Sequence, residues 1–232
     1  MSSSIEPDTK GPVVCVFCGA AGGSDPIYME AARQLAREFH EKKVKLVYGG
    51  GTSGLMGELA YTLASLSGPE AVHGIIPGAL ISIEEGYKDE NGQHKFKKVE
   101  REIKDGGTHS FGRVTIVPDM HTRKRLMASE VLAGGPGSGF IALPGGFGTL
   151  EELMEITTWN QLGIHGAGVV LLNVDGYWDG ILDWVKRAVS KGFLSARNAR
   201  IVVQTGEVGA TLDILKDYEV SKERLALVWE QS

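Results

Sequence analysis

Short runs of β-branched and other apolar residues alternate along the chain with longer stretches whose apolar positions recur at helical spacing. That is the pattern of a parallel sheet covered on both faces. Seven strands are predicted, over Val13–Phe17, Lys45–Tyr48, Val72–Ile76, Arg113–Val117, Phe140–Leu143, Gly168–Asn173 and Ile201–Gln204. Helices are predicted over Pro26–Lys42, Gly54–Leu66, His121–Leu132, Thr149–Leu162, Trp178–Lys191 and Val208–Asp217. The expected fold class is α/β: a doubly wound, mostly parallel sheet of about seven strands with helices on both faces. No repeat or linker interrupts the pattern, so residues 1–232 read as a single domain with a core from about residue 13 to 218 and loosely held ends. Ser82–Phe111, with the polar run Tyr87–Lys98, is too long for an ordinary connection and reads as a surface excursion with one or two local turns. Ala133–Gly139 reads as a flexible loop entering the fifth strand.

Composition narrows the partners. The balance of 24 Lys+Arg against 29 Asp+Glu gives a net charge of −5, which offers no general attraction to nucleic acid or to an anionic membrane. Cys15 and Cys18 lie three residues apart and brace nothing larger than a turn, so a reducing, cytoplasmic setting is expected. Met1–Lys10 is polar, and the longest apolar run, Val169–Leu172, is far too short to span a bilayer. Glycine is the informative excess: 32 of 232 residues, roughly twice the usual share, neither periodic nor joined by abundant proline.

Those glycines punctuate strand ends. Three turns that open helices are glycine-rich: Gly19-Ala-Ala-Gly-Gly-Ser24, Gly49-Gly-Gly-Thr-Ser-Gly54 and Gly145-Gly-Phe-Gly-Thr149. Glycine lets backbone approach a ligand, and the following helix offers unpaired N–H groups and partial positive charge, which together favour an anion. Ligands of doubly wound sheets sit where the strand order reverses, expected here between the first and fourth strands. The basic loop Pro118-Asp-Met-His-Thr-Arg-Lys124 is expected at the same edge, which makes a phosphate-bearing ligand the leading reading.

Each motif also has a plainer explanation. Gly49, Gly51 and Gly54 match G-x-G-x-x-G, but the next strand ends Ile75-Ile76-Pro77 instead of in an acid for the ribose of NAD, and no Walker-type Lys-Ser/Thr follows. Tight packing explains that turn as well as a ligand does. Thr149 and Glu152 form a capping-box pattern, while the three glycines before them exceed what capping needs. Arg123 opens a helix, where the dipole disfavours a cation, and so calls for an anion; its planar guanidinium grips phosphate or carboxylate in a way that Lys124 does not. Asp119 reads as a helix cap in preference to an acid. Cys15-Val-Phe-Cys18 reads as strand packing, because a reactive dithiol sits at a helix N-terminus. The six histidines show no i, i+4 metal pairing, and neither a metal nor a cofactor is expected. Trp159, Trp178 and Trp184 read as core or subunit interface.

Cys18-Gly19, Val47-Tyr-Gly-Gly-Gly-Thr-Ser-Gly-Leu-Met-Gly57, Asp119-Met-His-Thr-Arg-Lys124 and Pro144-Gly-Gly-Phe-Gly-Thr-Leu-Glu-Glu152 with Trp159-Asn-Gln-Leu-Gly163 together resemble the Lonely Guy (LOG) family, from about Val13 to Tyr218. The resemblance implies a Rossmann-like fold, usually a homodimer, that cleaves the N-glycosidic bond of N6-substituted adenosine 5′-monophosphates, and in several members of AMP, to free base and ribose 5-phosphate. It puts the catalytic pair on Arg123 and Glu152 and phosphate binding on Gly145, Gly146, Gly148 and Thr149. Gly19, Gly50, Gly51 and Lys124 complete the expected substrate contacts. Members are often labelled lysine decarboxylases, but nothing here places a lysine to hold pyridoxal phosphate. Against plant-like members, Ala133–Gly139 and Ser82–Phe111 are expanded and Ser129 replaces a basic residue. A non-catalytic carrier of a phosphate ligand or of molybdenum cofactor, on the same fold, is the alternative.

Overall fold

The computed structural model describes residues 10–82, 84, 104–225 and 227. Its strands are β1 (Val13–Phe17), β2 (Lys45–Tyr48), β3 (Val72–Pro77), β4 (Lys104–His109), β5 (Gly112–Val117), β6 (Gly139–Ala142), β7 (Gly168–Leu172) and β8 (Val202–Thr205). The helices are α1 (Pro26–Glu41), α2 (Gly54–Ser67), α3 (Gly78–Ile81), α4 (Met120–Leu132), α5 (Phe147–Gln161), α6 (Asp179–Ser190) and α7 (Thr211–Lys216). All seven predicted strands are present, each end within one residue of its expected place. They form one sheet in the order β4-β5-β3-β2-β1-β6-β7-β8, parallel throughout except for β4 against β5.

β4 is the element the sequence pattern conceals. The end of the supposed excursion folds back as an antiparallel edge strand whose register shifts between Asp105 and Gly107. Its Asp-Gly-Gly sequence is depleted in strand formers, and a glycine pair in a strand marks a bulge. Most of the remaining Ser82–Phe111 stretch, including Tyr87–Lys98, lies outside the described residues.

Alternation along each strand divides the core between two faces. Val14, Val16, Leu46, Tyr48, Ile141 and Leu172 pack with α1, α2 and α7 on one side. Cys15, Phe17, Val47, Phe140, Val169 and Leu171 pack with α4, α5 and α6 on the other. Parallel crossovers are right-handed as a rule, so the sheet grows one way while connections cover one face and reverses when they change face. The change comes at α4. The reversal therefore falls between β1 and β6, not between the first and fourth predicted strands, because β5 is laid down on the outer side of β3 before the chain crosses over. Periodicity reports how a helix is buried and not which face it covers.

Ser221–Leu225, expected to be loosely held, is better tied than its composition suggests. The Leu225 N–H donates to the Gln161 carbonyl at 2.8 Å, Arg224 Nη1 to the His165 carbonyl at 3.0 Å, and the Ser221 hydroxyl to Asn198 Oδ1 at 2.8 Å. Val228 and Trp229 lie outside the described residues.

Two turns are locked together by one glycine. Gly54 has φ +57°, and a Cβ there would run into the backbone of Ala20 in the turn after β1. Gly54→Ala combines left-handed strain of about 1–2 kcal/mol with that collision. It is expected to lower the melting temperature by several degrees, at about 2–4 °C per kcal/mol for this size. An unchanged melting temperature would show that the two turns are not in contact.

Candidate active site

The turns after β1, β2 and β6 meet at the carboxyl end of the sheet, and Gly19 is their junction. Its N–H donates to the Pro144 carbonyl at 3.0 Å, and its carbonyl accepts the N–H groups of Leu55 at 3.1 Å and Met56 at 3.3 Å. Gly19, expected to touch phosphate, thus spends its amide on the neighbouring turn.

The glycines fall into two classes. A Cβ at Gly49 would lie 2.6 Å from Arg123 Nη2, one at Gly50, whose φ is +77°, 2.8 Å from the Ile76 side chain, and one at Gly51 would strike Met56. Internal packing therefore accounts for the G-x-G-x-x-G turn. Gly145 likewise is needed because Thr149 leans against it. Gly146 and Gly148 differ: both have negative φ, and a Cβ on either meets nothing within 4 Å. Nothing inside the described structure requires glycine there, whereas a ligand lying against the backbone would.

Gly146 is also the N-cap of α5 and supplies no capping side chain. The helix starts at Phe147, two residues before the predicted start, so Thr149 sits in its first turn and the capping-box reading of Glu152 fails. Glu152 turns instead to the buried Arg123, whose Nη2 donates to its Oε1 at 2.5 Å. Arg123 reaches it because α4, starting beyond β5, packs across β3, β2, β1 and β6. Asp119 caps α4 as expected, Oδ1 accepting the Thr122 N–H at 2.8 Å, and those bonds hold its carboxyl below the usual range.

Burial pushes the Glu152 carboxyl above the ordinary glutamate range, and Arg123 only partly offsets this. The outcome is a carboxylate more basic than one in water. Arg123 Nε is buried and has no hydrogen-bond partner among the described residues, so its donor suits a ligand oxygen. Lys124 points elsewhere, donating to Glu151 at 2.5 Å and Glu155 at 3.1 Å on α5. Its bonds fasten α4 to α5 behind the pair.

Two contributors escaped the sequence reading. Glu84 accepts both the N–H and the hydroxyl of Thr52 at 2.8 Å, closing over the β2 turn; it lies in the stretch that reads as a surface excursion. Tyr177 donates its hydroxyl to the Gly145 carbonyl at 2.5 Å, and the only available signal was the Asn173-Val-Asp-Gly-Tyr177 turn directly after a strand beside β6. Cys15 and Cys18 are buried, free and in the cores on opposite sides of the sheet, and burial raises both thiols, consistent with packing. Trp178 is core, whereas Trp184 is 55% exposed. Among the described residues no cluster of His, Cys, Asp or Glu is arranged to hold a metal, and no helix is long and apolar enough to cross a membrane.

A cavity of about 390 Å³ opens between the β1 and β6 turns, bounded by Gly19, Gly23, Tyr28, Leu55, Gly146 and Tyr177. That volume suits a small molecule. A larger hollow of about 670 Å³ lies between α6 and β8, remote from Arg123 and Glu152, and is walled by Leu182, Val185 and Val189 with surface Asp and Lys side chains.

The chain is similar to known proteins over most of its length. Residues 56–215 match a family described as "Possible lysine decarboxylase". Cytokinin riboside 5′-monophosphate phosphoribohydrolase LOG7 of Arabidopsis thaliana is 40% identical over 220 residues, covering 94% of this chain and 88% of that protein. LOG2 of the same plant is 38% identical over 221 residues, covering 94% and 90%. A bifunctional cytokinin biosynthesis protein of Fusarium pseudograminearum (strain CS3096) is 52% identical over 203 residues, 87% of this chain but 39% of that longer protein. Among solved structures, the Moco carrier protein of Chlamydomonas reinhardtii superposes with a TM-score of 0.56 at 15% identity, over 89% of this chain and 96% of the other. The molybdenum cofactor binding protein of Rippkaea orientalis gives 0.55 at 18% identity, over 89% and 96%. At such identities the likeness is one of fold. With a family match over most of its length and relatives near 40% identity along nearly the whole chain, this protein belongs to the LOG family of cytokinin riboside 5′-monophosphate phosphoribohydrolases.

Proposed function

We propose that the chain hydrolyses the N-glycosidic bond of N6-substituted adenosine 5′-monophosphates, and of AMP, releasing the base and ribose 5-phosphate. The observation that carries this reading is a juxtaposition: the uncapped N-terminus of α5, flanked by two glycines that face open space, and the buried Arg123–Glu152 pair on the next turn. A 5′-phosphate accepts N–H groups of the Gly146–Thr149 turn and is favoured by the helix dipole. Glu152 lies four residues beyond Gly148, about 6 Å along the axis, a span comparable to that from the phosphorus to the anomeric carbon. Holding the phosphate therefore presents C1′ to the carboxylate and turns remote binding into orientation.

Breaking C1′–N9 builds positive charge on the ribose, as in glycoside hydrolysis. Glu152 stabilises that charge, and its raised basicity suits it to draw a proton from the water that adds to C1′. Arg123 holds Glu152 in place with one nitrogen and keeps Nε for an oxygen of the ribose phosphate. The same reading has the enzyme acting as a cytoplasmic homodimer: Phe147, 94% exposed within the phosphate turn, and the exposed Met120 at the start of α4 offer apolar surface beside the site for a second copy to cover. A carrier of the same fold would retain a phosphate ligand and release nothing, so product chromatography after incubation with AMP and isopentenyladenosine monophosphate separates the two.

Glu152→Gln is expected to lower kcat by about 10²–10³-fold. The sign of its effect on stability follows from the raised carboxyl. The native state resists ionisation of Glu152 more than the unfolded chain does, so its contribution is intact below about pH 4.3 and is lost as pH rises through the elevated value. The melting temperature of Glu152→Gln relative to wild type is expected to climb over that interval and then level; a relative fall would mean that ion pairing outweighs burial. For Gly148→Ala, a helical position with open space around it, the expected result is an unchanged or slightly raised melting temperature, by up to about 1 kcal/mol of stability, with KM for AMP raised tenfold or more. An unaffected KM would remove the phosphate from that turn.

A further inference from the structure

After β7 the chain turns through Asn173–Tyr177 with two successive left-handed residues, Asp175 at φ 51° and Gly176 at φ 69°. For a residue bearing a side chain that conformation persists only where the surroundings hold it. Here they do: Asn173 Oδ1 accepts the Trp178 N–H at 2.7 Å, Asn173 Nδ2 donates to Asp179 Oδ1 at 2.8 Å, and the Trp178 side chain is sunk in the core. The strained turn delivers Tyr177 to the mouth of the cavity. Its ring sits edge-on between Tyr28, centroids 6.0 Å apart, and Trp178, 5.0 Å apart. Although 43% exposed, it aims its hydroxyl at a backbone carbonyl, that of Gly145, instead of at water.

The consequence follows from peptide geometry. The Gly145–Gly146 peptide is planar and trans, so fixing the direction of its C=O fixes the opposite direction of the Gly146 N–H. Glycine leaves the backbone at Gly146 its widest conformational freedom, and no packed neighbour stands within 4 Å of where a Cβ would lie. We propose that Tyr177 is a positioning residue, which clamps the Gly145 carbonyl and thereby aims the Gly146 amide into the cavity at the substrate's phosphate. This rests on the phosphate-turn reading above and adds what keeps the turn in its binding shape. Tyr177 touches neither C1′ nor the base in this scheme; its effect is on anion affinity and not on the bond-breaking step.

The test compares full-length wild type and Tyr177→Phe, which keeps the ring contacts and deletes one hydroxyl. KM for AMP is expected to rise about 5–10-fold, the loss of a hydrogen bond, with kcat within twofold, and inhibition by ribose 5-phosphate is expected to weaken by the same factor. Thermal stabilisation by inorganic phosphate should require correspondingly more phosphate in the variant. An unchanged KM and inhibition constant, or a fall in kcat at constant KM, overturns the proposal. Should wild type release no base from AMP, the hydrolase reading fails, and the phosphate and ribose 5-phosphate titrations still decide whether Tyr177 sets the turn. If Tyr177→Phe does not fold, the Gly146 amide resonance of wild type decides: a shift on phosphate titration supports the proposal and an unmoved resonance overturns it.

Discussion

A carboxylate and a guanidinium taken out of water must find each other, and most of the architecture at the carboxyl end of this sheet serves the meeting of Glu152 and Arg123. Both are buried, and each comes from a separate helix on the same face. To bring Arg123 from beyond β5 to the first turns of α5, α4 must pass over four strands, and Lys124 fastens it there through Glu151 and Glu155. The close approach of Arg123 to the β2 turn excludes any side chain at Gly49. Breaking one half of such a pair costs about 3–5 kcal/mol in general. Here the pair is also left with a basic carboxylate and an Nε that has no partner among the described residues, more polarity than packing alone asks for.

Around that pair the turns divide the labour. Gly19 binds the β1, β2 and β6 turns together through three backbone hydrogen bonds, which makes a frame. The β6 turn keeps amides for something else, because α5 carries no capping side chain and the space around Gly146 and Gly148 is open. A frame that is rigid on one side and a glycine turn that is free on the other need a restraint where they join, and Tyr177 sits at that join.

Hydrophobic period made seven parallel strands and both layers of helices readable, because burial on two faces leaves a strong imprint on Val, Ile and Leu spacing. It missed β4, whose Asp-Gly-Gly stretch is poor in strand formers, and misplaced the reversal of strand order, because handedness depends on which face each helix covers. Within the site, Arg123 stood out as a cation at a helix start, which the dipole disfavours, Glu152 by the glycines that precede its capping-box pattern, and Asp119 as a cap. The G-x-G-x-x-G turn was ambiguous in sequence and is explained by neighbours far along the chain, Arg123 and Ile76. Tyr177 and Glu84 act through hydrogen bonds to backbone 32 residues away, and no local pattern announces such a contact.

The relation between the α5 amides and Glu152 decides how the site works, and a crystal structure of Glu152→Gln with AMP measures it directly. The predicted result has phosphate oxygens within hydrogen-bond distance of the Gly146–Thr149 amides, one further oxygen on Arg123 Nε, and C1′ facing residue 152. AMP seated elsewhere, or seated there with its ribose turned away from residue 152, would contradict it.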